Sequence, residues 1–247
     1  PAQLAQLFTA KQLSIVTLTP RTGEPIESCC DWQTFIARKA KISAQIALEV
    51  ATNINGDDIS DLMFTSGTTG KPKGVVENHR NVLHFTRNFT NPYHLCSEDK
   101  VLFPGSLCFS GSAEPLFMAL LNGATLFPFD LRNEGVSNLA ACLESEKITI
   151  YSGATVFRQL MDGMTRQNPF PDIRLILLGG DTVFTSEVEL FKKFFSDDCI
   201  LINGYGATEM KQLSRLYVCK DTEISGLHVP VGKSLEDIDV FLVDDDG

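Results

Sequence analysis

The sequence predicts an α/β protein, a mainly parallel sheet with helices flanking it. Three observations carry that reading. From residue 100 onward, short apolar runs alternate with segments of helical spacing, the pattern of strand–crossover–strand units. Those runs are apolar throughout and bounded by Gly, Pro or charged residues, as strands covered on both faces are. Over 247 residues, a hydrophobic content of 43% suffices for an ordinary core.

Taken in chain order, the first sixty residues offer one strand-like run, Ser14 to Leu18, and a helix from Trp32 to Ala40. A polar stretch follows, Asn53 to Asp58. We read residues 1–60 as the tail of a preceding α/β lobe. Val101 to Phe103, Ala124 to Phe129, Ile148 to Tyr151, Leu175 to Leu178 and Ile200 to Ile202 are the sheet strands. Between them, Ala113 to Leu121 is a helix, with Ser112 at its N-cap and Asn122-Gly123 as its stop. Val136 to Glu146, Thr155 to Met164 and Ser186 to Phe195 are the other crossover helices. Past Met210, Leu213 to Val218 and Ile238 to Val243 read as strands with no helix between them, so 210–247 begins a separate β-rich layer.

Charge and cysteine usage exclude several classes. A net charge of -10 and no Lys/Arg cluster argue against nucleic-acid partners, which need basic surface. Seven cysteines without a C-x-x-C pair suggest neither a zinc site nor a disulfide framework, which fits a cytoplasmic protein. No window approaches a membrane span, and no signal sequence opens the chain. No G-x-S-x-G elbow occurs, and the four histidines lack H-E-x-x-H spacing.

The richest stretch is Thr65-Ser66-Gly67-Thr68-Thr69-Gly70-Lys71-Pro72-Lys73-Gly74, fed by Leu62-Met63-Phe64 and followed by Val75-Val76. Three glycines let the backbone approach a ligand, four hydroxyls supply donors and two lysines supply positive charge, a set that suits a polyphosphate. It is not a Walker loop, which would need glycine at Thr65 and a hydroxyl at Pro72. Val75-Val76 reads as a second strand, so the phosphates would meet a hairpin-like loop, with Asn78 capping the helix after it. A second stretch, Asn203-Gly204-Tyr205-Gly206-Ala207-Thr208-Glu209, follows the strand Ile200 to Ile202, where α/β sheets present ligand sites. Tyr205 offers a face for a base, Thr208 a donor for phosphate and Glu209 a hard oxygen ligand for magnesium, while Gly204 and Gly206 permit close approach.

On these two stretches, in this order, the chain resembles the adenylate-forming (AMP-binding) superfamily of acyl-CoA synthetases, luciferase-like enzymes and nonribosomal peptide synthetase adenylation domains. The resemblance implies a nucleotide- and acid-binding subdomain over 61–209, with ATP and Mg2+ as cofactors. It implies that Thr65, Ser66, Gly67, Thr68, Thr69, Gly70 and Lys73 wrap the phosphates, and that Gly180, Asp181, Asn203, Gly204, Tyr205, Gly206 and Thr208 complete the ATP site. Lys73, Thr208 and Glu209 would be catalytic, Glu209 as the metal ligand. Ser110, Gly111, Glu114, Ser152, Leu177, Gly179, Gly204 and Gln212 would line the acid pocket. Ser110 stands where peptide-synthetase relatives carry an aspartate that holds an α-amino group. A neutral hydroxyl cannot pair an ammonium, so the resemblance implies an aryl, fatty, hydroxy or β-amino acid.

The implied reaction is ATP-dependent activation of a carboxylic acid with release of pyrophosphate, then a thioester on coenzyme A or a phosphopantetheinyl carrier protein. The chain starts without methionine, both ends look like cuts, and the family's C-terminal lid elements are absent. A weak or inactive fragment is therefore expected. A non-catalytic nucleotide-binding module of the same fold and an unrelated phosphotransferase are the competing readings.

Overall fold

The computed structural model describes Ile15–Thr17, Cys29–Asp31, 52–65, 73–103, 111, 113–162, 164–166 and 168–244. The chain forms two compact units, Pro1–Asn55 and Gly56–Gly247. In the first, β1 (Ile15–Thr17) pairs in parallel with β2 (Cys29–Asp31), with Ile15 opposite Cys29. The helix expected over Trp32 to Ala40 lies outside the described residues.

The second unit opens with a hairpin. Strand β3 (Ile59–Thr65) runs antiparallel to β4 (Lys73–Asn78), and Thr65 faces Lys73 where the glycine-rich loop leaves the ladder. Helix α1 (His79–Tyr93) follows at once. Asn78 caps it by accepting from Asn81 N at 2.9 Å, and Asn81 returns the bond to Asn78 N, a reciprocal cap contributing about 1 kcal/mol.

A seven-stranded sheet carries the rest. It comprises β5 (Lys100–Phe103), β6 (Thr125–Pro128), β7 (Ile150–Ser152), β8 (Leu175–Gly179), β9 (Ile200–Ala207), β10 (Lys211–Val218) and β11 (Lys233–Ser234), in the order β11-β10-β9-β8-β7-β5-β6. Strands β5 to β9 are parallel, and β10 and β11 are antiparallel additions at one edge. The crossovers are α2 (Ala113–Leu120), α3 (Leu131–Ser145), α4 (Ala154–Met161) and α5 (Thr185–Phe194).

Side chains alternate across this sheet as a period of two requires. Val101, Ile150, Leu175 and Ile202 pack under α1 and α2 with Phe85, Phe89 and Met118. Leu102, Tyr151, Ile176 and Leu201 face the opposite way, under α3, α4 and α5 with Leu139, Phe157 and Phe191. The connection out of β5 thus covers one face and that out of β7 the other. At the start of these strands, Arg174 donates to Asp99 through Nε at 2.8 Å and Nη2 at 2.6 Å, and through Nη1 to the Tyr93 carbonyl at 2.8 Å. One guanidinium therefore joins the end of α1 to β5 and β8. Burial alone would raise the Asp99 carboxyl, but bonds from Arg174, Thr149 and the Cys96 amide hold it below the usual range.

Several boundaries differ from the sequence reading. Leu213 to Val218 falls within β10, which extends the same sheet instead of starting a new layer. Ile238 to Val243 forms no strand: Phe241 is 81% and Leu242 98% exposed, so the apolar run has neither a strand partner nor a core beneath it. Helix α3 starts earlier than expected, capped by Asp130, and breaks at Gly135, whose φ of 78° lies outside helical space. No helix among the described residues is long and apolar enough to cross a membrane.

Candidate functional site

A cavity of about 400 Å³ opens beyond the carboxyl ends of the parallel strands. Its wall takes Phe103 from the end of β5, Ser152 from β7, Gly179 from β8 and Gly204 to Ala207 from the outer half of β9. That is where an open α/β sheet leaves a crevice, because successive crossovers change face there. Helix α2 closes one side with Glu114 and Pro115, and α1 contributes Phe89.

Residues expected separately for nucleotide and for acid meet in this one cavity. Gly180, Gly204, Tyr205, Gly206 and Thr208 line it, as do Gly111, Glu114, Ser152, Leu177, Gly179 and Gln212. Asp181 is exposed just past Gly180, with its Oδ1 accepting from Thr182 N at 2.7 Å. Glu209 is exposed in the turn beside Thr208, and Lys73 is exposed at the first position of β4. Ser66, Gly67, Thr68, Thr69, Gly70 and Ser110 lie outside the described residues; Thr65, the last residue of β3, is half-buried.

Strand β9 continues beyond Ile202 through the whole of Asn203 to Ala207 and turns tightly into β10. This explains its glycines. A Cβ at Gly206 would stand 1.6 Å from the Lys211 carbonyl oxygen, so the chain's own hairpin occupies that space. A Cβ at Gly204 would stand 1.9 Å from Gln212 Nε2. Tyr205 is 54% exposed as a residue, and its ring offers a face for a flat partner. Asn203 is buried, and its amide donates to the carbonyls of Val229 (3.2 Å) and Pro230 (3.0 Å). Its side chain holds the 229–230 segment against the base of the motif.

Three charged residues of the site carry no signal in the sequence. Lys211 begins β10 in the left-handed region, with φ of 53°, which is costly for a residue with a side chain. Its Nζ lies 3.0 Å from Glu77 Oε2, with the two side chains only 5% and 6% exposed. The pair ties β4, on which the glycine-rich loop ends, to the turn that carries Thr208 and Glu209. Burial pushes the Glu77 carboxyl up, Lys211 pulls it back, and nearby Asp61 adds to the rise. Arg215 is buried with its guanidinium 4.9 Å from the Tyr93 ring centre.

Glu114, in the first turn of α2, is an acidic residue of the cavity wall. Burial pushes its carboxyl up to about 7, against the opposing pull of Lys211 and Arg215. No group of three or more His, Cys, Asp or Glu that could hold a metal occurs among the described residues. Magnesium does not need one, since it is commonly held by one or two carboxylates, water and substrate phosphates. Glu209, exposed in the turn next to the cavity-lining Thr208, fits that donor set.

A family model described as AMP-binding enzyme matches residues 3–247. The chain belongs to the AMP-binding enzyme family. Among its relatives, gramicidin S synthase 2 of Brevibacillus brevis is 31% identical over 190 residues, 76% of this chain and 4% of that protein. Surfactin synthase subunit 2 of Bacillus subtilis is 31% identical over 205 residues, 80% of this chain and 6% of that protein. The chain thus spans a small part of the length of these synthases. In fold, this AMP-binding chain resembles the Vibrio cholerae adenylation domain AlmE in complex with glycyl-adenosine-5'-phosphate, with a TM-score of 0.69 at 19% identity over 94% of this chain and 45% of that one. The Klebsiella oxytoca NpsA N-terminal subdomain in complex with anthranilyl-AMSN gives a TM-score of 0.75 at 21% identity over 99% of this chain and 61% of that one.

Proposed function

We propose that the chain forms the ATP- and acid-binding core of an enzyme that activates a carboxylic acid as its adenylate. The observation that carries this reading is the single cavity, at the carboxyl ends of β5, β7, β8 and β9, shared by the Gly204 to Thr208 motif and by Glu114, Ser152 and Gln212. A nucleotide and a second small molecule held there would be adjacent, the condition for direct transfer between them. Membership of the AMP-binding family and likeness to peptide synthases support the same chemistry.

In the proposed reaction a carboxylate oxygen of the acid forms a bond to the α-phosphorus of ATP, and the bond from that phosphorus to the bridging oxygen of pyrophosphate breaks. Tyr205 stacks on the adenine. Thr208 donates to a phosphate oxygen, and Lys73, with the loop 65–74, neutralises the departing pyrophosphate. Glu209 would hold a magnesium ion, whose charge offsets that of the phosphates. In this reading a thioester forms next, on coenzyme A or on a phosphopantetheinyl carrier protein. Ser110 offers no charge for an α-ammonium, which favours an acid other than an ordinary α-amino acid.

The test is pyrophosphate exchange into ATP by the protein carrying this chain, across a panel of aryl, fatty, hydroxy and amino acids. Acid-dependent exchange is expected. ATP binding without exchange with any acid indicates a nucleotide-binding module, and ADP in place of AMP as product refutes adenylation.

A further inference from the structure

The hairpin on which the glycine-rich loop is mounted is a sheet of its own. Among the described residues, β3 and β4 pair with each other, and no ladder bond joins them to the seven-stranded sheet whose β9–β10 turn carries Thr208 and Glu209. Two strands alone are marginal in water, so the hairpin's place is set by what packs on it. Helix α1 lies against it, and the Glu77–Lys211 ion pair reaches from it to the other sheet. Lys211 closes the β9–β10 turn: its ladder partner is Ala207, whose carbonyl accepts from Met210 N at 3.2 Å, with Thr208 and Glu209 between. Side chains alternate along a strand, so Lys73, Val75 and Glu77 share the face of β4 turned to Lys211. Lys73 lies on the order of 13 Å along that face, four residues of about 3.3 Å each.

A lysine is costly to keep at this position. Left-handed backbone under a side chain costs about 1–3 kcal/mol, and the ammonium has given up its water. A buried pair adds little net stability to repay that, and its best-attested use is to fix register. Its surroundings are already crowded with acid. Asp61 stands across the ladder from Glu77, and both its carboxylate oxygens are enclosed without a hydrogen-bond partner among the described residues. The Phe85 ring centre, on α1, lies 5.6 Å from the Lys211 Nζ. We infer that Lys211 is a positioning residue for the polyphosphate: paired with Glu77, it holds the Lys73 face of β4 in register with the Thr208–Glu209 turn, so that a triphosphate meets both elements already in place. This rests on the nucleotide reading of the cavity. A monophosphate needs the Gly204 to Thr208 motif alone, and that motif is held by the β9–β10 ladder. A triphosphate must also reach Lys73, and without the pair it has to order the hairpin as it binds.

The experiment is calorimetric titration of the protein, with Mg2+ present, by AMP and by α,β-methylene-ATP, a triphosphate that cannot lose pyrophosphate. The ratio of the two Kd values reads the preference for the triphosphate. In Lys211→Met and in Glu77→Gln that ratio is expected to fall about tenfold or more, with AMP affinity moving by less than about threefold. Lys211→Arg, which keeps the cation, should stay within about threefold of the unaltered ratio. The double variant Glu77→Leu/Lys211→Met leaves no uncompensated charge, so it keeps the test open if a single variant does not fold. Its ratio should remain as low as that of the single variants. A ratio that recovers in the double variant assigns the pair to folding alone and overturns the inference. A Glu77→Gln ratio equal to or above the unaltered one also overturns it, because the freed ammonium would then act on the phosphates directly. So does an equal loss of AMP and triphosphate binding. Failure of the unaltered protein to bind either nucleotide overturns the nucleotide reading itself.

Discussion

Replacing Lys211 with methionine removes the cation that lies 3.0 Å from the Glu77 carboxylate, in a place where both side chains are almost fully enclosed. Removing one partner of a buried pair typically costs about 3–5 kcal/mol, because the other is left as an uncompensated charge. At roughly 2–4 °C per kcal/mol for a domain of this size, Lys211→Met should lower Tm by about 6–20 °C. The loss should depend on pH in a defined direction. The Glu77 carboxyl already lies above its ordinary 4.5, through burial first and Asp61 last, and loses the downward pull of Lys211 in the variant. A raised acid keeps its proton longer in the folded than in the unfolded chain, so stability falls as pH rises from 4.5 toward the folded value. Urea unfolding at about pH 5 and pH 8 should therefore show a smaller deficit at the lower pH. Pairing the change with Glu77→Leu should restore most of the loss, since an apolar pair of similar volume needs no compensation. A deficit under about 1 kcal/mol, or single losses that merely add in the double variant, would refute the reasoning.

Three further outcomes follow from the same geometry. Gly206→Ala puts a methyl 1.6 Å from the Lys211 carbonyl oxygen, so the β9–β10 hairpin cannot close as it stands; equilibrium unfolding should show a loss above about 3 kcal/mol, and nucleotide binding by calorimetry should disappear. Arg174→Met strips the guanidinium from buried Asp99 and should cost about 2–3 kcal/mol, below the range for a fully buried pair because the guanidinium is partly exposed. Since Asp99 is held below its ordinary value, its contribution is present above that value and lost as pH falls, and urea midpoints across acid pH should be flatter in the variant. Glu114→Gln should abolish a stability loss that the unaltered protein suffers between about 4.5 and about 7, where the unfolded chain releases the proton first; midpoints that do not change with the substitution at pH 5 and 7.5 refute it.

Much of the fold was legible because it depends on local pattern. The apolar runs at Val101, Ile148, Leu175 and Ile200 are continuous since both faces of the sheet are covered, and Asn78 announces α1 through a cap that spans three residues. The hairpin into which the glycine-rich loop is set was readable from Val75-Val76. What was not legible depends on partners distant in sequence. Nothing near Glu77 predicts a lysine from the β9–β10 turn, and nothing near Lys211 predicts that a residue with a side chain occupies a left-handed position. Ile238 to Val243 misled for the complementary reason: an apolar run becomes a strand only if an edge accepts it, and here none does.

The crowding at Gly206 changes what the motif can tell a reader of related sequences. That glycine is required by a carbonyl of the same hairpin, whether or not a nucleotide ever binds. A descendant that had abandoned chemistry but kept its shape would still retain it. Glu209 stands in solvent and is needed by no neighbouring packing, so its loss would cost such a descendant little. Within one heptapeptide, then, the small residues testify to architecture, and under the proposed function only the exposed acid would distinguish a working catalyst from its silent copy.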